Sequence, residues 1–545
     1  MKRVTWRAPG AARRRSEGGY VAILTILLFT TLFGLCAFAV DVGNWYYTGQ
    51  RAQRAADAGA LAGVPLLPGD PSGAFAEART FTKANGFDNA SSNVQVDTSI
   101  DGQPTRLRVT TSMTVQNQFG SLFGLGHTTI SRTAVADYAG PVPMGSPCNE
   151  FGNDPESTGY RGTTCSGVSG QFWASVNSPS TDKGNGDQYQ SLNCGSGVDG
   201  CSSGNNTEYE PDGYYYTVHV TQPTTNLTIQ AFDPEWANVG LTCGSNFGSG
   251  NSASTKAKND WVTDESTRYK SGSSEPYCTG DNSYGGSGAM NTQFTVRSPS
   301  PQPWDPTTFP VISGCQKTYA GYDGSLYNAL NKSSSGYRDD IAQTFRRWDT
   351  LCTIPYAVPG DYLVQVKTNG LGTDNTNQGN RFALRSFSTS DTNAKNLVSV
   401  SGRERMSIFS NAPSATTEFY LARIQSATAG QILQIKLFDV GDSTQPGVIQ
   451  LVAPPDSGST FTNCTASGGS TGPNLPNCSF TVTNATHQGK LVTIQIPIPS
   501  NYTCQDADQT KCWVRLKYVY GSGSAPTDVT SWSANIFGDP VRLVE

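Results

Sequence analysis

The stretch Val40–Gly63, VDVGNWYYTGQRAQRAADAGALAG, follows directly on Tyr20–Val40, YVAILTILLFTTLFGLCAFAV, which carries no charged residue over 21 positions. At about 1.5 Å rise per residue that span would cover roughly 31 Å, close to a bilayer core of about 30 Å. A cleaved signal peptide is the rival reading; its apolar region is shorter, about 7–15 residues. The small residues of AFAVDVG keep cleavage open, while the length favours a retained anchor. Beyond the span, Ala52, Ala56, Gly59 and Gly63 stand three or four positions apart, so on a helix they form one seam, which Ala55 and Ala60 widen. Small side chains of this kind let another backbone approach closely. An ordinary alanine-rich helix is the plainer alternative, yet Gly59 in its middle costs up to about 1 kcal/mol against alanine. The seam therefore predicts something packed on it, and a partner helix is the expected occupant.

Charge gives the span an orientation. Residues 1–19 hold Lys2, Arg3, Arg7, Arg13, Arg14 and Arg15 against Glu17, a net +5 in a chain whose total is −5. Such a cluster keeps the amino terminus in the cytoplasm and leaves about 500 residues outside a cell membrane crossed once. The remainder is acidic and has no basic stripe, which argues against nucleic-acid binding. Only 15 % of the 545 residues are charged and 10 % are aromatic, with many Gly, Ser, Thr and Asn, the composition of an exported β-rich protein rather than a disordered one.

Cys36 lies within the span. Cys148, Cys165, Cys194, Cys201, Cys243, Cys278, Cys315, Cys352, Cys464, Cys478, Cys504 and Cys512 all follow it. An even number in loop-rich sequence beyond an anchor reads as a disulfide framework. Zinc is the other use of cysteine, but no C-x-x-C pair occurs and the only histidines are His127, His219 and His487. No metal or cofactor is expected. Cys464–Cys478 and Cys504–Cys512 are plausible short closures.

Patterning divides the chain into a basic tail (1–19), a transmembrane helix (20–40), a small α+β unit (41–140) and two β-sandwich-like or jelly-roll-like regions (141–400 and 413–545). In the α+β unit, VPLLPGDPS (Val64–Ser72) ends the first helix, Phe75–Asn85 suits a second, and VQVDTSI, RLRVTTSMTVQ and TTISRTAVADYAG alternate as strands do. Further on, Gly/Ser turns separate strand candidates such as Tyr214–Val220, Leu227–Phe232, Tyr362–Val366, Ile432–Phe438 and Trp513–Tyr518. A shift of 206 positions superposes Leu227-x-Ile229-x-x-Phe232-Asp233 on Leu433-x-Ile435-x-x-Phe438-Asp439. Either a duplicated unit or two similar amphipathic hairpins would give this match. The aspartate that closes each strand suits capping of the following turn. Neither copy has the dense acidic pattern of a calcium loop.

Gly18-Gly19 after a basic tail, the apolar span, the Asp41-x-Gly43 exit, the aromatic pair Tyr46 and Tyr47, and the block Gln53–Gly63 together resemble the amino-terminal domain of TadG-like proteins of the bacterial Tad system, which builds Flp-type type IV pili. The likeness runs over roughly residues 15–140. It implies a membrane-anchored pilus-assembly component whose partners are other Tad proteins or pilin-like subunits, met through the 41–63 helix. Two family features are missing. Pilin-type processing after Gly18 or Gly19 calls for a glutamate where Ile23 or Leu24 stands, and the D-x-S-x-S metal motif of a von Willebrand A-type domain is not matched by Asp97-Thr98-Ser99-Ile100.

An enzyme is not expected. The sole G-x-S-x-G match, Gly468–Gly472, sits in a Gly/Ser/Thr loop without the strand-to-helix setting of a nucleophile elbow. DYLVQVKTNG with NRFALRSF is similar to non-catalytic β-sandwich modules of secreted bacterial peptidases, which leaves a secreted hydrolase as a minor alternative. Two non-enzymatic roles remain: a scaffold or interaction ectodomain of the pilus machinery, or a cell-surface adhesin that binds a glycan or host ligand. Tyr214–Tyr216 and Trp236 could stack on sugars, although alternating strand aromatics also serve as core.

Overall fold

One helix, α1 (Gly18–Gly63), carries both the apolar span and the alanine stretch without a break. The computed structural model describes residues 18–67, 71–138, 140–153, 172–238, 279–285, 288–300, 302–368, 376–390, 397–411, 416–441, 445–469, 471–520, 527–537 and 541–544. From Tyr20 to Val40 the large apolar side chains of α1 face outward, Tyr20, Phe33 and Leu35 among them. Among the described residues this is the one helix long and apolar enough to cross a membrane. Pro65 then turns the chain through a short 3₁₀ segment. Helix α2 (Pro71–Ala84) runs back along α1. It begins at Pro71 rather than at Phe75, because proline in a first turn lacks only an N–H that would have had no helical partner.

Three antiparallel strands complete this unit: β1 (Val94–Asp101), β2 (Gln103–Gln116) and β3 (His127–Tyr138). Alternation in the sequence predicts all three. It does not predict a fourth, Val541–Leu543, which returns from the far end of the chain and pairs with β3 at Ala136–Tyr138.

Apart from a separate two-stranded ribbon, Cys201–Ser202 with Asn205–Asn206, the described strands from Pro143 to Phe537 form one connected network. Two parts of it follow the same pairing scheme. Thr224–Phe232 lies between Trp348–Ala357 and Gln378–Phe387, and Ile432–Phe438 lies between Leu491–Pro497 and Thr527–Phe537. Tyr214–Val220 pairs with Gly360–Thr368, which pairs on with Thr292–Arg297. Thr416–Arg423 likewise pairs with Trp513–Tyr520, which pairs on with Gly447–Val452. The closing aspartates match in detail. Asp233 and Asp439 both take positive φ, 51° and 60°, which aspartate tolerates better than most side chains. Asp233 donates its N–H to Arg347 O and accepts at Oδ1 from Arg346 N. Asp439 donates to Lys490 O and accepts at Oδ1 from Gly489 N. They hold the entry of the paired strand rather than capping the turn that follows. The 206-residue offset is thus a repeat of strand connectivity and not a likeness of two hairpins alone.

The two repeats interlock. Pro143–Met144, ahead of the first, pairs with Ala422 in the second, while Val398–Arg403, ahead of the second, pairs with Tyr214–Val220 in the first. Phe172–Asn177 lies between Gln378–Phe387 and Arg405–Asn411 and joins the two. A line of aromatic rings, Tyr216–Phe151–Phe172–Phe419–Trp532, crosses the same boundary with successive centroids 4.9, 5.2, 6.2 and 5.5 Å apart. Among the described residues four cysteine pairs are joined: Cys194–Cys201, Cys315–Cys352 and the two expected closures, Cys464–Cys478 and Cys504–Cys512. Cys148 is also disulfide-bonded. Cys165, Cys243 and Cys278 lie outside the described residues.

Candidate functional site at the membrane exit

Where α1 leaves the apolar span, its first charged side chain turns inward. Asp41 is 1 % exposed. Its carboxylate accepts the backbone N–H groups of Gln118 (2.8 Å), Phe119 (3.0 Å) and Gly120 (2.7 Å). Desolvation pushes its pKa up, but the hydrogen bonds from Gly120, Gln118 and Phe119 outweigh that and hold it below the ordinary value. One turn further, Trp45 Nε1 donates to Asn117 Oδ1 at 2.8 Å. Higher on the helix Thr111 Oγ1 donates to Ala52 O at 2.8 Å. Strand β2 therefore descends along α1 towards the membrane, and its end is pinned level with Asp41. Gly43 has nothing within 4 Å of where a Cβ would stand, so its exposure, not packing, distinguishes it from the seam glycines.

The small residues of the seam are packed against a helix and a strand of the same chain, not against a helix of another subunit. Ala52, Ala55, Ala56 and Ala60 are fully buried in a core that also contains Ala74, Ala78, Leu107, Val109 and Ala134. A Cβ on Gly59 would meet Thr82 Cγ2 at 2.6 Å and Ala78 O at 3.0 Å; one on Gly63 would meet Ala74 O at 2.4 Å and Leu107 Cδ2 at 2.7 Å. The small residues let α2 and β2 of the same chain approach. The partner-helix expectation is corrected on this point, because a surface already covered cannot dock elsewhere. What α1 leaves open above the span is another face, with Tyr46, Tyr47, Arg51 and Arg54 exposed.

Sequence reading found Asp41, Gly43 and the seam but missed Trp45, Asn117 and the amides of 118–120. Their partners are 72 to 79 positions away, and no local periodicity reports such a contact.

At the other end of the unit a cavity of about 610 Å³ opens between Leu66 and Tyr138 on one side and His219, Asp361, Arg403 and Trp513 on the other. His219 Nδ1 and Asp361 Oδ1 are 2.7 Å apart. Burial raises the Asp361 carboxyl, and the His219 contact reverses this, leaving it below its ordinary value. Ser399 stands opposite His219 on the next strand, but no hydrogen bond joins it to the ring among the described residues. Asp456 groups with Cys504 and Cys512, whose sulfurs are spent in a disulfide; they are not thiolate ligands. Tyr214, Tyr216 and Trp236, the candidates for a sugar platform, are fully buried, so they cannot stack on a glycan. In the G-x-S-x-G match, Gly468 and Gly469 lie in the loop between Cys464–Ser467 and Asn474–Leu475, and Ser470 lies outside the described residues.

No curated protein and no solved structure matches the chain. Residues 19–69 match the Flp pilus-assembly TadE/G-like family. The match takes in the span, Asp41, Gly43 and the whole seam, and ends before the strands. The chain therefore carries a TadE/G-like domain at its amino-terminal end, followed by a large β-rich region, and that domain supports an association with the Tad pilus system.

Proposed function

We propose that the protein is a membrane-anchored, non-enzymatic component of a bacterial Tad/Flp pilus assembly system, with its amino terminus in the cytoplasm and the β-rich region outside as a scaffold or interaction ectodomain. The observation that carries this reading is the TadE/G-like match on one unbroken helix that runs from the span into a packed unit. The arginine cluster supports the orientation, and the disulfides fit an oxidising exterior. With the seam covered, contacts to other pilus-assembly proteins or pilin-like subunits fall to the open face of α1 around Tyr46, Tyr47, Arg51 and Arg54, and to the β-rich region.

Deleting the gene tests the role. Loss of surface pili supports the assembly reading. Intact pili with lost attachment would replace it with the adhesin reading, a surface glycan or host ligand then being the partner. The non-enzymatic part has its own test, since Ser399 faces His219 across the strands. Covalent labelling of Ser399 by a fluorophosphonate, abolished in Ser399→Ala, would overturn it.

A further inference from the structure

We propose that the loop between β2 and β3, Phe119–Gly126, is a second membrane contact, seated in the interface of the same bilayer that α1 crosses. Depth is the first argument. Three consecutive backbone amides at the start of this loop are bound by Asp41, the residue immediately after the apolar span. Trp45 holds Asn117 one helical turn higher, so the chain is heading towards the membrane when it reaches Phe119. Phe119 and Gly120 therefore lie level with the point at which α1 leaves the hydrocarbon, and the loop turns there before Leu125 and Gly126 return to Asn117.

Chemistry is the second argument. The segment FGSLFGLG (119–126) holds no charged residue. Phe119 is 39 % exposed and Leu125 is 59 % exposed, and on the α1 side Tyr46 and Tyr47, about 8 Å further from the span than Asp41 at about 1.5 Å per residue, are 70 % and 63 % exposed. Aromatic side chains gather at this level of a membrane protein because the ring is apolar while its edge stays wet. Solvent-facing loops of soluble domains seldom hold Phe and Leu in this density.

Backbone satisfaction is the third. Backbone N–H and C=O groups that are already paired within a loop lower the cost of bringing it close to the hydrocarbon, where water is scarce. Here Leu125 N donates to Gly120 O, Gly124 N to Ser121 O, and Asn117 N to Gly126 O. The Asn117 side chain adds a bond from Nδ2 to Leu125 O at 2.8 Å. These bonds close the turn on itself. The cavity shared with the β-rich region lies at the opposite end of the unit, by Leu66 and Tyr138. Two membrane contacts on one rigid unit fix its tilt, and with it the direction in which α1 projects the β-rich region, about 35 Å further on at about 1.5 Å per residue from Val40 to Gly63.

The inference rests on the anchored reading of α1, and one experiment separates the two. The full chain is reconstituted in phosphatidylcholine vesicles doped with a phospholipid that carries a diazirine near its ester bond. After irradiation, lipid adducts are mapped by mass spectrometry on tryptic peptides. Peptide 16–51 reports the span and peptide 109–132 reports the loop, since cleavage sites at Arg15, Arg51, Arg108 and Arg132 bound them. Adducts on both peptides are expected. Replacing Phe119→Ser and Leu125→Ser should lower adducts on 109–132 at least several-fold and leave 16–51 unchanged. Adducts on 16–51 alone, equal labelling of 109–132 in both proteins, or protein-to-protein crosslinks at 109–132 in place of lipid would overturn the proposal. Absence of adducts on 16–51 would instead overturn the anchor. Should the double variant lose its fold, the single change Leu125→Ser at a well-exposed position gives the same comparison, and the wild-type map stands without either.

Discussion

Asp41 and the glycines near it show how much depends on what lies within a few ångströms of one residue. A carboxylate with three backbone donors supports the 118–120 turn only while ionised. Its folded-state pKa is depressed, so its contribution is complete above the unfolded value of about 3.9 and is lost as pH falls through the lower folded value. Exchange protection of the amides of Gln118, Phe119 and Gly120 should therefore be flat from pH 8 to pH 5, after correction for intrinsic rates, and collapse only in stronger acid. Asp41→Asn should expose those amides at every pH; unchanged protection in that variant would refute the pinning role. The glycines give a prediction of opposite signs. At Gly63 a methyl group would stand 2.4 Å from the carbonyl of Ala74, and backbone cannot step aside cheaply, so Gly63→Ala should destabilise the unit by about 1–3 kcal/mol. At Gly43 nothing is near, and Gly43→Ala should stabilise the helix by up to about 1 kcal/mol. Thermal unfolding of both variants in detergent, against wild type, decides the matter. The sequence marks these glycines as members of one helix but cannot say which of them is touched.

Elements were legible where their own period is long enough to show. Tyr214–Val220 and Ile432–Phe438 have the limits that alternation predicts, and α1 continues through the membrane exit as its alanines suggest. The seam announced close packing, but small residues do not name what approaches them, and the occupants α2 and β2 come from the same unit. Elements of two or three residues have no period at all. Pro143–Met144 and Val541–Leu543 are strands only because a distant edge accepts them. The second of these closes β3, with a further bond from Val544 N to Val135 O at 2.8 Å. Without it β3 would present an open edge of the kind that invites foreign strands. Deleting Val541–Leu543 should raise hydrogen exchange in the peptide covering Val135–Tyr138 and leave β1 protected. Equal exchange in the two proteins would mean that the tail is not paired in solution.

At the scale of the whole molecule the repeat organisation makes a claim about cooperativity. Two sandwich-like units in tandem would ordinarily unfold one at a time, with a loss in one invisible to the other. Here each repeat receives a strand from ahead of the other, Phe172–Asn177 is paired to both, and Phe172 meets Phe419 across the boundary. Neither unit is complete without its neighbour, so global opening of either exposes the exchanged strand of the other. Trp532 offers a probe, since it is fully buried in the second repeat and meets Phe419 at 5.5 Å. Removing it by Trp532→Ala should cost about 3–5 kcal/mol through lost burial and the cavity left behind. In native-state hydrogen exchange under mild denaturant, that loss should fall equally on peptides from Thr416–Arg423 and from Tyr214–Val220, about 200 positions away. If the first repeat keeps its full protection while the second loses it, the exchanged strands do not couple the repeats, and the β-rich region is two domains that merely touch.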